Sequence, residues 1–250
     1  MRNLAVWVFT FVLTLVAAGP ASGQAPAADQ REAGQWQFVI EPYFMGASMS
    51  GTTGMAGQEM TVALSASDIL ENLKFGMMGT ALARKGRWGL GFDGMWASLG
   101  ATTSGDPAFT IDGDQGQFGF YGVRQLAQVA DLTFGLRWNI ISNALRPAEA
   151  PLPAASDTVQ WVDPLVGLNL HLPAGRRLRA AIYMEVGGFG LGSDVAWQIC
   201  PTVGVQASRR LGLDFGWRWL AADYESGSGA SAFKWDVIQQ GPVLGLVFAF

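Results

Sequence analysis

Hydrophobic and polar residues alternate with a period of two along most of the chain, which is the pattern of half-buried β-strands. In Leu211–Asp223 the odd positions up to Trp219 are large and apolar, and the even positions up to Arg218 are glycine, aspartate or arginine. Leu132–Ser142 and Trp88–Leu99 repeat this alternation. The pattern predicts ten strands: Trp36–Ala47, Phe75–Arg84, Trp88–Leu99, Gln115–Ala127, Leu132–Ser142, Val159–Leu172, Leu178–Val186, Val195–Ala207, Leu211–Asp223 and Trp235–Phe250.

The connections between these strands alternate between short and long. The stretches RKGR, QVAD, PAGR and SRR form four tight turns, whereas the other five connections are longer: 47–74, 100–114, 143–158, 187–194 and 224–234. Short turns at one end and long loops at the other are typical of outer-membrane β-barrels, whose short turns are periplasmic. The sequence therefore predicts an all-β, antiparallel, up-and-down transmembrane barrel over 36–250. Eight strands, or a soluble all-β fold, are the alternatives.

The polar face of the strands favours the membrane interpretation. A soluble barrel would show water a face rich in Lys, Glu, Ser and Thr, but here that face carries glycine with single Asp and Arg residues, which suits a crowded interior. Trp36 and Trp88 lie near the short-turn ends of their strands. A second group lies near the long-loop ends: Trp96, Trp161, Trp197 and Trp235. Two such groups predict aromatic girdles at the two membrane interfaces.

The N-terminus has the composition of a secretory signal peptide. Arg2 and Asn3 precede an apolar run, Leu4–Ala18, which the small residues of GPASGQAPA follow. The run is shorter than a spanning helix requires, although a retained anchor is the alternative. We therefore expect a signal peptide over 1–23, a flexible leader over 24–35, and export to the outer membrane of a Gram-negative bacterium.

Composition argues against nucleic-acid binding and excludes an internal disulfide. The chain has 16 Lys+Arg against 20 Asp+Glu and no basic run, so it lacks the electrostatic signature of a nucleic-acid-binding protein. Its single cysteine, Cys200, cannot form an internal disulfide.

The C-terminal strand and one longer segment carry a family resemblance. Leu244, Leu246, Phe248 and Phe250 alternate up to the final residue. This resembles the C-terminal signature of bacterial outer-membrane proteins, and it implies recognition by the barrel-assembly machinery. The segment from WQFVIEPYFMGASMSG to GRWGLGFDGMWASL is similar to a group of uncharacterised outer-membrane β-barrel proteins. That resemblance implies fold and location, with outer-membrane lipid as surroundings, and no activity. Pro42 and Pro242 lie on the two strands that would meet at closure, so we expect that seam to contain bulges or to be partly open.

Charged residues are predicted to point into the lumen. Strand phase selects five carboxylates and four guanidiniums: Glu41, Asp93, Asp163, Glu185, Asp214, Arg124, Arg137, Arg179 and Arg218. Because buried charges persist only when they are paired, we expect a salt-bridge network that fills the barrel. The alternative is a selectivity ring in a pore.

The sequence predicts no enzyme, metal or cofactor site. His171, the single histidine, lies beside the PAGR turn, at the end away from external substrates, and we expect it to form lumenal hydrogen bonds. Cys200, next to a proline in a strand, is expected to be a packed thiol. Serine-nucleophile, HExxH and Walker motifs are missing from the sequence.

The segment 47–74 differs from the other connections. MSGTTGMAGQEM is expected to be flexible, and SDILENL predicts a short helix with Asp68 as N-cap and Glu71 completing a capping box. That helix would be either a surface element or a lid over the barrel mouth, and it is the expected contact for an external partner. The predicted function is a non-enzymatic barrel with a filled lumen and a structural or loop-mediated role. The alternative is a narrow channel for small solutes.

Overall fold

The computed structural model describes residues 34–55, 57–102, 109–147, 155–174 and 177–250. The predicted signal peptide, 1–23, and nearly all of the predicted leader, 24–35, lie outside these ranges. The described strands and the α-helix have these bounds: β1 Trp36–Met45, β2 Ser48–Met55, β3 Gln58–Leu64, α1 Ala66–Asn72, β4 Leu73–Lys85, β5 Trp88–Thr102, β6 Phe109–Ala127, β7 Ala130–Pro147, β8 Ala155–Pro173, β9 Leu178–Gly188, β10 Val195–Gln206, β11 Leu211–Ser226 and β12 Phe233–Ala249. In the described residues, no helix is long and apolar enough to cross a membrane.

The strands form a closed antiparallel barrel. β1 pairs with β4, each strand from β4 to β12 pairs with the next, and β12 returns to β1. This circuit has ten wall strands, so the prediction of a ten-stranded up-and-down barrel is confirmed and the eight-stranded alternative is wrong. The four predicted short turns lie at one end, where Lys85 is separated from Trp88, and Ala127 from Ala130, by two residues.

The first wall strand is longer than predicted. β1 pairs with β12 from Val39↔Ala249 to Met45↔Val243, and β2 continues the same register from Ser48↔Gln240 to Met55↔Phe233. β2 then turns at Gly57, which has a φ of 76°, and pairs with β3. The prediction that 49–60 is a flexible loop is therefore wrong, because the edge of the long strand β12 supplies a partner for a Ser/Thr/Gly segment of low intrinsic apolarity.

The second wall strand is interrupted by α1. β3 and β4 lie on the same side of β1 and β2, and α1 separates them. Ser65, and not Asp68, is the N-cap: its hydroxyl accepts a hydrogen bond from the Asp68 amide at 3.2 Å, and the Asp68 carboxylate accepts one from the Ser65 amide at 2.8 Å. The capping box is present, but it begins three residues earlier than predicted.

Strand pairing in the barrel wall is interrupted near Pro42 and Pro242. Ladder pairing between β1 and β4 ends at Pro42↔Gly79, and within the described residues Leu73–Met78 has strand partners on β5 alone. At the β1–β12 seam, the ladder has no rung at Glu41 and Pro42, and the Gly46 amide donates to the Pro242 carbonyl at 2.9 Å. A proline lacks an amide donor, which accounts for the missing rung at Pro42.

The two ends of the barrel have opposite inside and outside surfaces. In the short-turn half the outer face is apolar and exposed, as at Phe38, Leu90, Phe120, Leu136, Val203, Phe215, Leu244 and Leu246. In the long-loop half the same outward phase carries polar residues, which include Thr52, Glu59, Ser142, Thr158, Glu225, Lys234 and Asp236. Lys234 there pairs with Glu225 at 2.9 Å and with Glu59 at 3.4 Å.

Tryptophan follows this division, which corrects one prediction. Trp36 and Trp88 are exposed on the outer face near the short turns, as the girdle prediction requires. Trp161 and Trp235, which were assigned to the second girdle, are only 6% and 8% exposed and belong to an interior cluster. Trp161 shares its strand phase with the lumenal Asp163, so it cannot face lipid.

Candidate functional site

An apolar cluster packs inside the lumen at the long-loop end. Its buried members are Ile141, Trp161, Ala196, Ala222, Phe233, Trp235 and Val237. The rings of Trp161 and Tyr224 stack at 4.3 Å between centroids with planes 5° apart, and Phe233 packs against both. These side chains come from β7, β8, β10, β11 and β12, so the cluster spans the barrel and resembles the core of a soluble protein.

Below this cluster, Arg218 joins wall strands from different sides of the lumen. Its guanidinium donates to the Gln198 side-chain oxygen at 2.6 Å and to Asp93 at 3.1 Å, and it also donates to the Tyr43 hydroxyl. The side chain of Arg218 is 4% exposed and that of Asp93 is 22% exposed. One arginine thus connects β11 with β10, β5 and β1.

A second arginine forms a parallel connection. Arg137 on β7 pairs with Glu185 on β9, and both side chains are buried. The other Glu185 oxygen accepts a hydrogen bond from the Tyr183 hydroxyl at 2.6 Å. Arg137 also reaches Gln198 at 3.4 Å, so Gln198 accepts from both arginines and links the two groups.

Asp163 anchors the loop 187–194 to the lumen. It is fully buried, and its carboxylate accepts hydrogen bonds from the Ser193 amide at 2.6 Å and from Asn139 at 2.8 Å. The Trp161 indole N–H donates to the same carboxylate at 3.1 Å and to the Ser193 hydroxyl at 2.9 Å. This buried charge is therefore stabilised by several neutral donors.

The lumen near the short turns is charged and more accessible. Arg179 pairs with Asp214 at 2.5 Å, with side chains 37% and 20% exposed. Arg84 pairs with Asp131, whose carboxylate also lies 3.0 Å from Nε2 of His171. The Arg179 side chain is therefore open to solvent, whereas Arg218, Arg137 and Glu185 are buried.

Eight of the nine predicted lumenal charges lie on the inner face. Glu41 lies over Gly245, where no side chain occupies the inner face, and seven others belong to the groups described above: Asp93, Arg137, Asp163, Arg179, Glu185, Asp214 and Arg218. The prediction for Arg124 is wrong. Its rung partner is Trp88 and its guanidinium lies 4.6 Å from the Trp88 ring, on the outer face. Arg124 shares its strand phase with the outward-facing Phe118 and Phe120, and this signal was available in the sequence.

The network also contains uncharged residues and one ion pair that were not predicted from the sequence. Tyr43, Gln198 and Tyr183 connect its charges, and Arg84 with Asp131 adds a pair near the short turns. Inward phase could have selected each of these residues, but their partners lie across the barrel.

His171 and Cys200 are the two reactive side chains that the sequence singles out. His171 contacts Asp131 at the short-turn end, as described above, and Cys200 lies on the inward phase of β10 as a free thiol. Among the described residues, His, Cys, Asp and Glu form no group of three that could hold a metal ion.

The last strand closes the barrel at the short-turn end. Phe38 and Phe250 exchange two backbone hydrogen bonds, of 3.3 and 2.9 Å. The side chains of Leu244, Leu246, Phe248 and Phe250 are exposed on the outer face.

No protein-family model and no curated protein matches the chain. Several solved outer-membrane β-barrels are similar to it in fold. Ail, the attachment invasion locus protein of Yersinia pestis, solved in complex with the heparin analogue sucrose octasulfate, is 10% identical over 86% of this chain and 98% of its own, with a TM-score of 0.38. The translocator domain of the autotransporter NalP from Neisseria meningitidis is 13% identical over 100% of this chain and 98% of its own, with a TM-score of 0.37. A Pseudomonas aeruginosa FadL homologue is 9% identical over 86% and 89%, with a TM-score of 0.33. At these values the likeness is limited to the barrel fold.

Proposed function

We propose that this chain is a non-enzymatic, integral outer-membrane barrel whose lumen does not conduct, and which acts structurally or through its long-loop end. The exposed apolar outer face of the short-turn half supports membrane insertion, because every second residue of a spanning strand must face lipid. The short turns would then be periplasmic. The N-terminal signal-like sequence and the alternation that ends at Phe250 support export and assembly by the barrel-assembly machinery.

The observation that carries the non-conducting role is the pair of barriers in series. Arg218 and Arg137 connect facing strands through Gln198, and the cluster around Trp161 spans the lumen above them. Ions would have to pass a charged layer whose groups already pair with one another and an apolar layer that excludes water. The paired charges of this network connect different strands of the wall, and they do not form a selectivity ring.

The role at the outer surface would fall to the β2–β3 hairpin and α1. Both lie at the long-loop end, and they present the exposed apolar side chains of Met60 and Leu70, which are 64% and 47% exposed. An extracellular partner would meet these elements first.

Conductance in planar bilayers tests the proposal. The full chain, inserted into a lipid bilayer, should give no discrete channel openings, and on a denaturing gel it should migrate differently before and after boiling. Discrete, ion-selective openings of the wild-type protein would instead support the narrow channel for small solutes. Recovery in the soluble periplasmic fraction with no heat-dependent migration would overturn the membrane location itself.

A further inference from the structure

Aromatic and cationic residues alternate around the outer face at the short-turn end. The strand registers place Trp36 opposite Lys85, Lys85 opposite Trp88, and Trp88 opposite Arg124. These four residues of β1, β4, β5 and β6 therefore form one row, which we call the Trp–cation row. The Lys85 ammonium lies 5.9 Å from the Trp36 ring centroid and the Arg124 guanidinium 4.6 Å from that of Trp88.

An apolar groove rises from this row along the barrel wall. Its volume is about 570 Å³, and its lining includes Trp36, Lys85, Trp88, Leu90, Gly122 and Phe134. The Phe134 ring lies over Gly122, in the space that a side chain at position 122 would need, and forms part of the floor of the groove. On β4, the outward-facing residue next to Lys85 is Ala83, which has a small side chain. The groove above the row is thus bounded by large apolar side chains and by the small Ala83.

The two cations of the row differ from the arginines of the lumen. In the part of the chain that the structure describes, Lys85 and Arg124 contact rings and pair with no carboxylate, whereas Arg84, Arg137, Arg179 and Arg218 each do. A guanidinium stacked on an indole keeps its in-plane N–H donors free for a phosphate. Two positive charges at the mouth of an apolar groove are complementary to a molecule with an anionic head and apolar chains.

We propose that the Trp–cation row and its groove bind an anionic glycerophospholipid of the periplasmic leaflet. The phosphate contacts Lys85 and Arg124, which lie on either side of Trp88 in the row, and an acyl chain follows the groove beside Leu90 and over the Phe134 ring. Trp36 and Trp88 flank the glycerol region at the interface, where indole rings are favoured. This inference rests on the proposed membrane location, and it assigns a ligand class to a site outside the lumen.

Lipid retention by the purified full chain tests the site. The protein, in detergent, is incubated with equal amounts of phosphatidylglycerol and phosphatidylcholine, and bound lipids are counted by native mass spectrometry. The wild type should retain phosphatidylglycerol preferentially. Lys85→Gln with Arg124→Gln should reduce that preference by about thirtyfold, since each cation near an anionic lipid contributes about 1 kcal/mol. Inorganic phosphate should not displace the lipid, because it has no chain to fill the groove.

A matched control lies at the same end of the barrel. Arg209 and Arg210, in the turn before β11, offer the same charge without the groove, so Arg209→Gln with Arg210→Gln should keep the preference. An equal loss in this control would reduce the effect to general surface charge and overturn the proposal. Equal retention of both lipids by the wild type would overturn it too, while a persistent heat-dependent gel shift would leave the barrel's membrane location standing.

A second measurement covers the case in which the double variant fails to assemble. Wild-type protein in nanodiscs with brominated phosphatidylglycerol should lose more tryptophan fluorescence than in nanodiscs with brominated phosphatidylcholine at equal molar fraction. Equal quenching by the two lipids would contradict a selective site beside Trp36 and Trp88.

Discussion

The short-turn and long-loop halves of this barrel place the same residue types on opposite faces. β12 shows both arrangements in one strand. From Phe233 to Val237 its inward residues are aromatic or aliphatic while the outward Lys234 and Asp236 are charged. From Leu244 onward the outward residues are large and apolar, and the inward face opposite Glu41 is glycine. The strand thus has the residue pattern of a soluble protein at one end and that of a membrane barrel at the other.

This difference indicates that the outer face of each half is matched to a different solvent. In the short-turn half lipid favours an apolar exterior. The charged residues of that half then lie in the interior, where they must be paired. In the long-loop half the polar outer face indicates contact with water, and the apolar residues lie inside, where burial stabilises the structure.

The largest effect is expected from the apolar cluster. Trp161→Ala removes a buried ring that stacks on Tyr224 and donates to Asp163 and Ser193. It should lower the free energy of unfolding by about 3–5 kcal/mol, as for other buried aromatic truncations. Trp217→Ala, at an outward position that is 40% exposed, is the control and should cost clearly less in denaturant titrations. Equal costs would mean that the long-loop half has no soluble-type core.

The charge network should give a comparable but slightly smaller effect. Arg218→Leu leaves the Asp93 carboxylate without its cation, and breaking a buried pair costs about 3 kcal/mol or more. Arg179→Leu, in the pair with Asp214, is the matched variant and should shift the unfolding midpoint less, because the Arg179 side chain is 37% exposed whereas that of Arg218 is only 4% exposed. If Arg218→Leu leaves the midpoint unchanged and alters ion preference instead, the lumen is a wet pore.

Introducing one charge into each outer face compares the halves directly. Phe215→Arg places a cation at a position that is 60% exposed in the short-turn half, and it should cost about 2–4 kcal/mol if that position lies near the bilayer midplane. Thr61→Arg on β3, an exposed outward site in the long-loop half, should change stability by less than about 0.5 kcal/mol. Equal unfolding free energies in lipid for the two variants would contradict the division into two halves.

The smallest expected effect is a local one at α1. Hydrogen bonds from the Ser65 hydroxyl and amide hold the pKa of Asp68 below its ordinary value of 3.8. A carboxyl whose pKa falls on folding stabilises the folded helix above its ordinary pKa, and this contribution is lost as the pH falls through the lowered value. Amide exchange of 66–72, corrected for the intrinsic rate, should therefore speed up in acid below about pH 4. Asp68→Asn should remove that pH dependence, and an unchanged dependence would assign it elsewhere.

Most wall strands could be predicted from the sequence, because alternation of large apolar residues with glycine is a strong signal in strands such as β7 and β11. The β2–β3 hairpin could not be found in this way, since its Ser, Thr and Gly residues form strands only where β12 supplies an edge. The girdle assignment of Trp161 and Trp235 failed because the membrane rule was applied along whole strands, although the solvent changes partway.

The lumenal site was predictable as a set of residues and not as a set of contacts. Strand phase selects Asp93 and Arg218, and the same phase would have excluded Arg124. The pairing of Arg218 with Asp93, or of Arg84 with Asp131, depends on the stagger of strands around the barrel, which no local pattern in the sequence specifies.

Cysteine accessibility along β12 tests the two-solvent account most directly. In a Cys200→Ser background, single cysteines replace Lys234, Asp236, Leu244 or Leu246, and the protein in lipid vesicles is treated with a membrane-impermeant maleimide. The account predicts rapid labelling at 234 and 236, and at 244 and 246 protection that is lost on heating in detergent. Rapid labelling at all four positions in the folded protein would contradict it, because the short-turn half would then face water.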